Sequence, residues 1–129
     1  PALQDELIKM PFISYLPAMD KEGLAALYKE QDLFVMPSVA ETFGLVYAEA
    51  MTQGLPVIYT REQGFDRQFE EGVVGYHVDC HNPQDIADRI LDCLKNYAEI
   101  SHNCAALSDK FNWDTIAEEY ARLYETVMP

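Results

Sequence analysis

The chain has 129 residues with 22 acidic and 9 basic side chains, and its net charge of −13 argues against a surface that binds nucleic acid or an anionic membrane. Hydrophobic residues make up 49% and charged residues 24%, a composition typical of a folded domain with one core rather than of a disordered segment. The three cysteines are odd in number and widely spaced, which argues against a disulfide framework and favours a reducing, cytoplasmic location. The opening residues resemble no signal peptide and lack an initiator methionine, so we expect a piece of a longer chain.

The predicted elements of the first half alternate between strands and helices. Phe12–Tyr15 is predicted as a short strand between two prolines, and Asp20 as the N-cap of the helix that follows it. Leu33–Met36 is a continuous apolar run, typical of a strand that is covered on both faces. A helix is then predicted over Phe43–Thr52, ended by Gly54 in the left-handed conformation.

The second half continues this alternation. Residues 55–60 and 74–79 are predicted as strands, with a loop and a short helical piece between them. Asn82 opens the next helix, Ser101 begins another short one, and residues 112–127 form a closing amphipathic helix whose aromatic side chains are expected to dock on the sheet. The pattern predicts the α/β class: a Rossmann-like three-layer domain with a parallel sheet of about four strands and helices on both faces.

Two glutamates lie on either side of a helix start. Glu41 falls in the loop after the strand Leu33–Met36, and Glu49 lies eight positions later within the helix. Parallel sheets bind ligands beyond the carboxyl ends of their strands, and Gly44 lets the backbone approach a bound group closely. Free amides at this helix mouth would bind a phosphate or pyrophosphate, while the carboxylates would bind hydroxyls, as in a nucleotide-diphosphate sugar. A surface helix whose glutamates simply interact with the helix dipole fits the spacing equally well.

The segment MPSVAETFGLVYAEAMTQGLPVI closely resembles the signature of GT-B glycosyltransferases, in particular glycosyltransferase family 4. Glu41 and Glu49 occupy the positions of the two signature glutamates, and Gly54 and Pro56 follow in the family's order. The resemblance extends over nearly all of the chain, including QGFDRQFEEGVVGYHVD and the closing FNWDTIAEEYARLYE. In complete GT-B enzymes the last helix often crosses to the other domain, so the resemblance also implies that part of its apolar face is exposed here. It implies that residues 1–129 form a single nucleotide-sugar (donor) binding domain, part of the C-terminal domain of a GT-B fold and truncated at its N-terminus.

The resemblance also implies an activity. The longer protein would be a retaining, metal-independent glycosyltransferase of the hexosyltransferase type, active in the cytoplasm in a process such as polysaccharide biosynthesis. It would transfer a sugar from a nucleotide-diphosphate donor to an acceptor hydroxyl, without a cofactor or a metal site. The family's site residues correspond here to catalytic Glu41 and to donor-binding Thr42, Phe43, Gly44, Leu45, Glu49 and Gly64.

The sequence departs from the family pattern upstream of Phe12–Tyr15. Two strands, a basic Arg–Lys pair and the acceptor-binding N-terminal domain have no counterpart here, so we expect this chain alone to be inactive. The acceptor, whether a glycan, a lipid-linked glycan or a small molecule, would be bound mainly by that missing domain. Phe12–Tyr15 would pair with Leu33–Met36 or with another copy of the chain through the exposed sheet edge. A non-catalytic nucleotide-sugar binding module and a flavodoxin-like signalling or structural domain are the alternatives.

Other polar residues are interpreted more simply. His77, Cys80 and His81 cluster within five positions, but no second cysteine pair lies nearby, so we expect core and loop residues rather than metal ligands. Arg61 and Arg67 lie in the loop after the strand 55–60 and face the predicted site. We expect them to form ion pairs with acidic residues of the same loop, although contact with a phosphate is an alternative.

Overall fold

The computed structural model, which describes residues 2–128, contains six α-helices, one 3₁₀ turn and three strands within that range. The elements are α1 (Ala2–Leu7), α2 (Lys21–Tyr28), β1 (Phe34–Val35), α3 (Leu45–Thr52), β2 (Val57–Thr60), β3 (Gly75–Val78), α4 (Pro83–Lys95), α5 (Tyr97–Leu107), a 3₁₀ turn (Ser108–Phe111) and α6 (Trp113–Val127). The predicted N-caps are confirmed, because the side chain of Asp20 accepts a hydrogen bond from the Gly23 amide and that of Asn82 accepts bonds from the first turn of α4. No helix within the described range has both the length and the apolar character that crossing a membrane requires.

The three strands form one parallel sheet in the order β1-β2-β3. Phe34 lies opposite Val57, and Ile58 lies opposite Tyr76. All four residues of the central strand β2 are buried, which explains its nearly continuous apolar sequence. The predicted α/β class with a parallel sheet is confirmed, and the carboxyl ends of all three strands meet at one edge.

The strand predicted at Phe12–Tyr15 is wrong. Phe12 lies in a turn closed by a hydrogen bond from the Ile13 amide to the Met10 carbonyl, and the chain then runs to Asp20 without joining the sheet. Phe12 is 81% exposed and Tyr15 57% exposed. A strand is stabilised by hydrogen bonds to a neighbouring strand. In this structure the strand that pairs with β1 is β2, and not the segment Phe12–Tyr15. Over residues 2–128 the sheet therefore has three strands rather than about four.

Aromatic rings fill the core between β2, α3 and the loop that follows β2. Tyr47 of α3 packs on Phe65 with ring centroids 4.9 Å apart, and Tyr59 of β2 packs on the same ring at 5.0 Å. Phe34 of β1 meets Tyr47 edge-to-face at 5.7 Å. Because Phe65 belongs to the loop between β2 and β3, its burial fastens that loop to the core beside the carboxyl edge of the sheet.

The closing helix α6 does not dock on the sheet. Tyr120, Leu123 and Tyr124 are each more than half exposed, and no residue of α6 is buried. The prediction that its aromatic side chains join the core is therefore wrong. The physical reason is that α3 and α4 already contact β2, while α6 contacts the 3₁₀ turn that precedes it.

The cysteines provide a first test of this packing. Cys93 and Cys104 are fully buried, and burial raises the pKa of each thiol to about 12. Since the thiolate is the reactive form, we expect iodoacetamide at pH 8 to modify the partly exposed Cys80 and to spare the other two until the chain unfolds. Mass spectrometry of tryptic peptides measures this. Equal labelling of all three thiols under native conditions would contradict the fold.

Candidate functional site

Two loops meet at the carboxyl edge of the sheet, one after β1 and one after β2. The Gly64 amide donates to the carbonyl oxygen of Glu41 at 3.0 Å, and the Gln63 side chain accepts a hydrogen bond from the Glu41 amide at 2.9 Å. A Cβ atom on Gly64 would lie 2.1 Å from the Thr42 carbonyl oxygen. The two backbones therefore touch, and glycine is required at the contact.

The mouth of α3 is formed by a glycine in the left-handed conformation. Gly44 is the N-cap, with φ of +84°, and a Cβ atom there would lie 2.5 Å from the Tyr47 ring. The predicted start of this helix at Phe43 is wrong by two residues, because the backbone at Gly44 is not helical and α3 begins at Leu45.

The Glu41 carboxylate lies on the amides of this helix mouth. Its Oε1 atom accepts a hydrogen bond from Gly44 at 3.1 Å and a longer one from Phe43 at 3.4 Å. The expectation that both amides are free is therefore wrong. A carboxylate of the chain itself occupies the place predicted for a phosphate, and the geometry shows that the mouth accepts an anion.

Glu49 lies on the exposed face of α3, one turn beyond Leu45, between two clefts. The larger cleft, of about 400 Å³, lies between the start of α2, α3 and the segment from the 3₁₀ turn to the start of α6. The smaller cleft, of about 170 Å³, lies between α2 and α3. Lys21, Glu49 and Thr52 line both clefts, so a cation and a carboxylate lie side by side there. The larger cleft is also lined by Leu45, Ala48, Ser108, Asp109, Phe111, Asn112 and Trp113.

The predicted site residues form two adjoining groups. Glu41, exposed Thr42, Gly44 and Gly64 lie together at the mouth of α3, whereas Leu45 and Glu49 line the larger cleft. The ring of Phe43 bridges the two groups. It meets Phe111, which lines that cleft, edge-to-face at 6.2 Å.

The structure adds residues that the sequence analysis did not select. Gln63 supports Glu41 across 22 positions, and Lys21 and Trp113 line the cleft beside Glu49. Trp113 is 77% exposed, unusual for the largest side chain. The position of Gln63 next to Gly64 is the one sequence signal that could have indicated the role of Gln63. The roles of Lys21 and Trp113 depend on how distant elements pack.

Arg61 pairs with a residue outside its own loop, and two residues of the histidine–cysteine cluster line a crevice. Arg61 lies 3.9 Å from Asp85 of α4, so the expectation that it pairs within its own loop is wrong. This contact is exposed and contributes little to stability. Cys80 and His81 line a crevice of about 280 Å³ at the carboxyl edge. Within residues 2–128, no three His, Cys, Asp or Glu side chains lie close enough together to hold a metal ion.

Comparison with known proteins places this geometry in a family. The chain is 34% identical over 125 residues to a D-inositol 3-phosphate glycosyltransferase from Mycolicibacterium smegmatis, a match that covers 93% of this chain and 29% of that protein. Its fold is similar to that of sucrose-phosphate synthase from Thermosynechococcus elongatus, with a TM-score of 0.81, 28% identity and coverage of 98% of this chain and 33% of that one.

A second solved structure, Anabaena HepE in complex with UDP, matches with a TM-score of 0.68 and 29% identity over 78% of this chain and 29% of HepE. The chain thus spans a third or less of the length of these proteins. The likenesses confirm the GT-B glycosyltransferase fold that the signature implied. A family model described as glycosyl transferases group 1 matches residues 8–124, and the chain belongs to this family.

Proposed function

We propose that residues 1–129 form a single domain that binds the donor in a retaining glycosyltransferase. The longer enzyme would transfer a hexose from a nucleotide-diphosphate sugar to an acceptor hydroxyl. The observation that carries the proposal is the Glu41 carboxylate on the Gly44 and Phe43 amides, because it marks the mouth of α3 as an anion site. The related HepE was solved with UDP and with UDP-glucose, which supports a nucleotide-diphosphate donor for this chain as well.

In this proposal the diphosphate takes the place that the Glu41 carboxylate holds in the structure. The amides of Phe43, Gly44 and Leu45 would hold its oxygens, with the helix dipole favouring the negative charge. Glu41, displaced from the amides, would then accept hydrogen bonds from the hydroxyls of the transferred sugar as the catalytic carboxylate. Exposed Thr42 and the backbone at Gly64 lie beside it, where the sugar would bind.

Glu49 would bind the ribose hydroxyls of the donor. It lies four residues after Leu45, about 6 Å along the helix axis at about 1.5 Å per residue, which suits a ribose next to a diphosphate at the mouth. A carboxylate oxygen forms strong hydrogen bonds with hydroxyl groups. Lys21 lines the same cleft and would partly offset the repulsion between Glu49 and the phosphates.

The chemical role of this domain would be to stabilise the departing diphosphate. Negative charge develops on the diphosphate oxygen as its bond to the sugar breaks, and fixed amides stabilise such charge without reorganisation. Glu41 would hold the sugar in the orientation for transfer. The backbone amides and Lys21 would supply positive potential beside the diphosphate, and we propose that transfer is metal-independent.

The remaining partners are proposals of the same kind. Because the chain spans a third or less of its relatives, we propose that the acceptor glycan, lipid-linked glycan or small molecule is bound mainly outside these residues, and that the residues alone transfer no sugar. The free cysteines fit a reducing, cytoplasmic compartment. Val35 on β1 is exposed, and within residues 2–128 this strand pairs with β2 alone; we propose that its other edge is a surface through which the chain associates with itself.

Isothermal titration of the chain with UDP, GDP and ADP tests the proposal. We expect at least one of the three to bind, and Glu49→Gln to weaken that binding about tenfold through loss of a charge-assisted hydrogen bond. Glu118→Gln on α6 is the matched control, because Glu118 is an exposed helical glutamate outside both clefts. Absence of binding by all three nucleotides would refute the donor site and favour a signalling or structural domain.

A further inference from the structure

We propose that Asp66 is a positioning residue: together with His77 and Glu71 it fixes the loop between β2 and β3 in the shape that holds Glu41. These three side chains are called the Asp66 network. The network itself is independent of any ligand. Its consequence for sugar transfer rests on the proposed function of Glu41.

The Asp66 carboxylate is nearly enclosed and fully bonded. Its side chain is 7% exposed. Oδ2 accepts a hydrogen bond from the Glu62 amide at 2.7 Å, and Oδ1 accepts one from the Arg67 amide at 3.0 Å and lies 2.9 Å from Nδ1 of His77. An enclosed carboxylate is unfavourable unless it is bonded in this way, so its partners define where the loop backbone can lie.

The two amides that Asp66 binds belong to the two strained residues of this loop. Glu62 has φ of +61° and Arg67 has φ of +67°, the left-handed conformation that residues with a Cβ atom adopt rarely. Such a conformation persists where the surrounding structure enforces it. Asp66 accepts a hydrogen bond from the amide of each residue and so stabilises both left-handed conformations, one at each end of the segment 62–67.

His77 ties this segment to the sheet. It belongs to β3, its Nδ1 atom faces Asp66, and its Nε2 atom lies 3.0 Å from Oε2 of Glu71. The His77 backbone amide also donates to Oε1 of Glu71 at 2.8 Å. Both ring nitrogens of His77 therefore face carboxylate oxygens, one of Asp66 and one of Glu71.

The charge state of Asp66 is consistent with this arrangement. Burial acts to raise the pKa of the Asp66 carboxyl, but the hydrogen bonds from the Glu62 amide and from His77 outweigh burial and lower the pKa below its usual value. Asp66 is therefore ionised at neutral pH, where it serves as an acceptor for every one of these donors.

The segment 62–67, whose two ends donate hydrogen bonds to Asp66, also contacts Glu41. Gln63 and Gly64 lie between Glu62 and Arg67, and they bond to the amide and the carbonyl of Glu41 at 2.9 and 3.0 Å. A change in the loop would therefore move both backbone groups of Glu41. We infer that the Asp66 network sets the position of the carboxylate that holds the transferred sugar.

Amide hydrogen exchange on Asp66→Asn tests this inference without a ligand. Asparagine keeps the size of the side chain but cannot accept hydrogen bonds at both of its terminal atoms. We expect exchange of the Gly64 amide to rise about tenfold, the factor for one lost charge-assisted hydrogen bond, while exchange of the core amide of Val57 stays unchanged. Asp88→Asn is the control, because Asp88 is exposed on α4 and accepts a bond from Gln84 alone.

Further outcomes separate this inference from the proposed function. If Asp66→Asn does not fold, Glu71→Gln, which weakens the outer part of the network, should raise Gly64 exchange by a smaller factor. Asp66→Asn should also weaken binding of UDP-glucose relative to binding of UDP, since UDP-glucose alone carries the sugar that the Glu41 carboxylate would hold. Unchanged Gly64 exchange, or an equal rise at Val57, would overturn the inference. Absence of nucleotide binding together with faster Gly64 exchange would refute the donor site and leave the network intact.

Discussion

Alanine at Gly64 is expected to lower the free energy of unfolding by about 3 kcal/mol or more, a large loss for a domain of this size. The new Cβ atom would lie 2.1 Å from the carbonyl oxygen of Thr42 and 2.5 Å from the amide nitrogen of Phe43. Both are backbone atoms, which cannot rotate away as the end of a side chain can. Relief therefore requires the two loops to separate, with loss of the hydrogen bond from Gly64 to Glu41.

Urea denaturation followed by circular dichroism measures this loss. Gly23→Ala on α2 is the matched control, since the nearest atoms to its new Cβ are the side-chain oxygen of Asp20 at 3.1 Å and the Cβ atom of Met19 at 3.5 Å. We expect that control to change stability by about 1 kcal/mol or less. Wild-type stability in Gly64→Ala would show that the two loops do not touch as described.

Glu41→Gln is expected to change nucleotide binding and sugar transfer in opposite directions. In the structure the Glu41 carboxylate occupies the Gly44 and Phe43 amides, so it competes with a diphosphate for them and repels its charge. Removing the charge should tighten UDP binding to the chain by roughly twofold to fivefold, the range of one helix-terminus charge interaction. In the proposed enzyme, the same change should reduce the rate of sugar transfer about 100-fold or more, because the transferred sugar is no longer held by the Glu41 carboxylate.

The contrast with Glu49→Gln makes this prediction specific. Glu49 lies in the cleft, away from the amides of the helix mouth, and its replacement should weaken UDP binding rather than tighten it. Isothermal titration of both variants with UDP, together with a transfer assay on the intact enzyme, gives the comparison. A loss of UDP affinity in Glu41→Gln as large as in Glu49→Gln would show that the two carboxylates do not have the separate roles proposed here.

Local signals in the sequence predicted much of this fold. Asp20 and Asn82 act as N-caps because their side chains bond within the next three residues, a requirement visible in the sequence itself. The apolar run before Thr60 is a buried strand, as its composition indicates. The signature around Glu41 and Glu49 led to the family because several of its positions follow a fixed spacing.

The failures involve contacts between elements that are distant in sequence. Phe12–Tyr15 has the composition of a strand, but no neighbouring strand pairs with it here. The apolar face of α6 was expected to lie in the core, but it is exposed. Sequence periodicity shows that a helix has an apolar face, but it does not show which element covers that face.

The candidate site shows the same limit. The signature identified Glu41, but it did not show that the Glu41 carboxylate caps the start of α3. That hydrogen bond depends on the left-handed turn at Gly44. The support from Gln63 spans 22 positions, and the contact between Asp66 and His77 spans 11. Contacts of this kind follow from how the loops fold over the sheet edge, and no local pattern in the sequence encodes them.

A nuclear magnetic resonance titration of ¹⁵N-labelled chain with UDP shows whether the mouth of α3 binds the diphosphate of a nucleotide. We expect the amide resonances of Phe43, Gly44 and Leu45 to shift along one saturation curve, that of Glu49 to shift as well, and that of Tyr124 on α6 to stay in place. If UDP binds and shifts other amides but leaves those of Gly44 and Leu45 unchanged, the diphosphate does not bind at the mouth of α3.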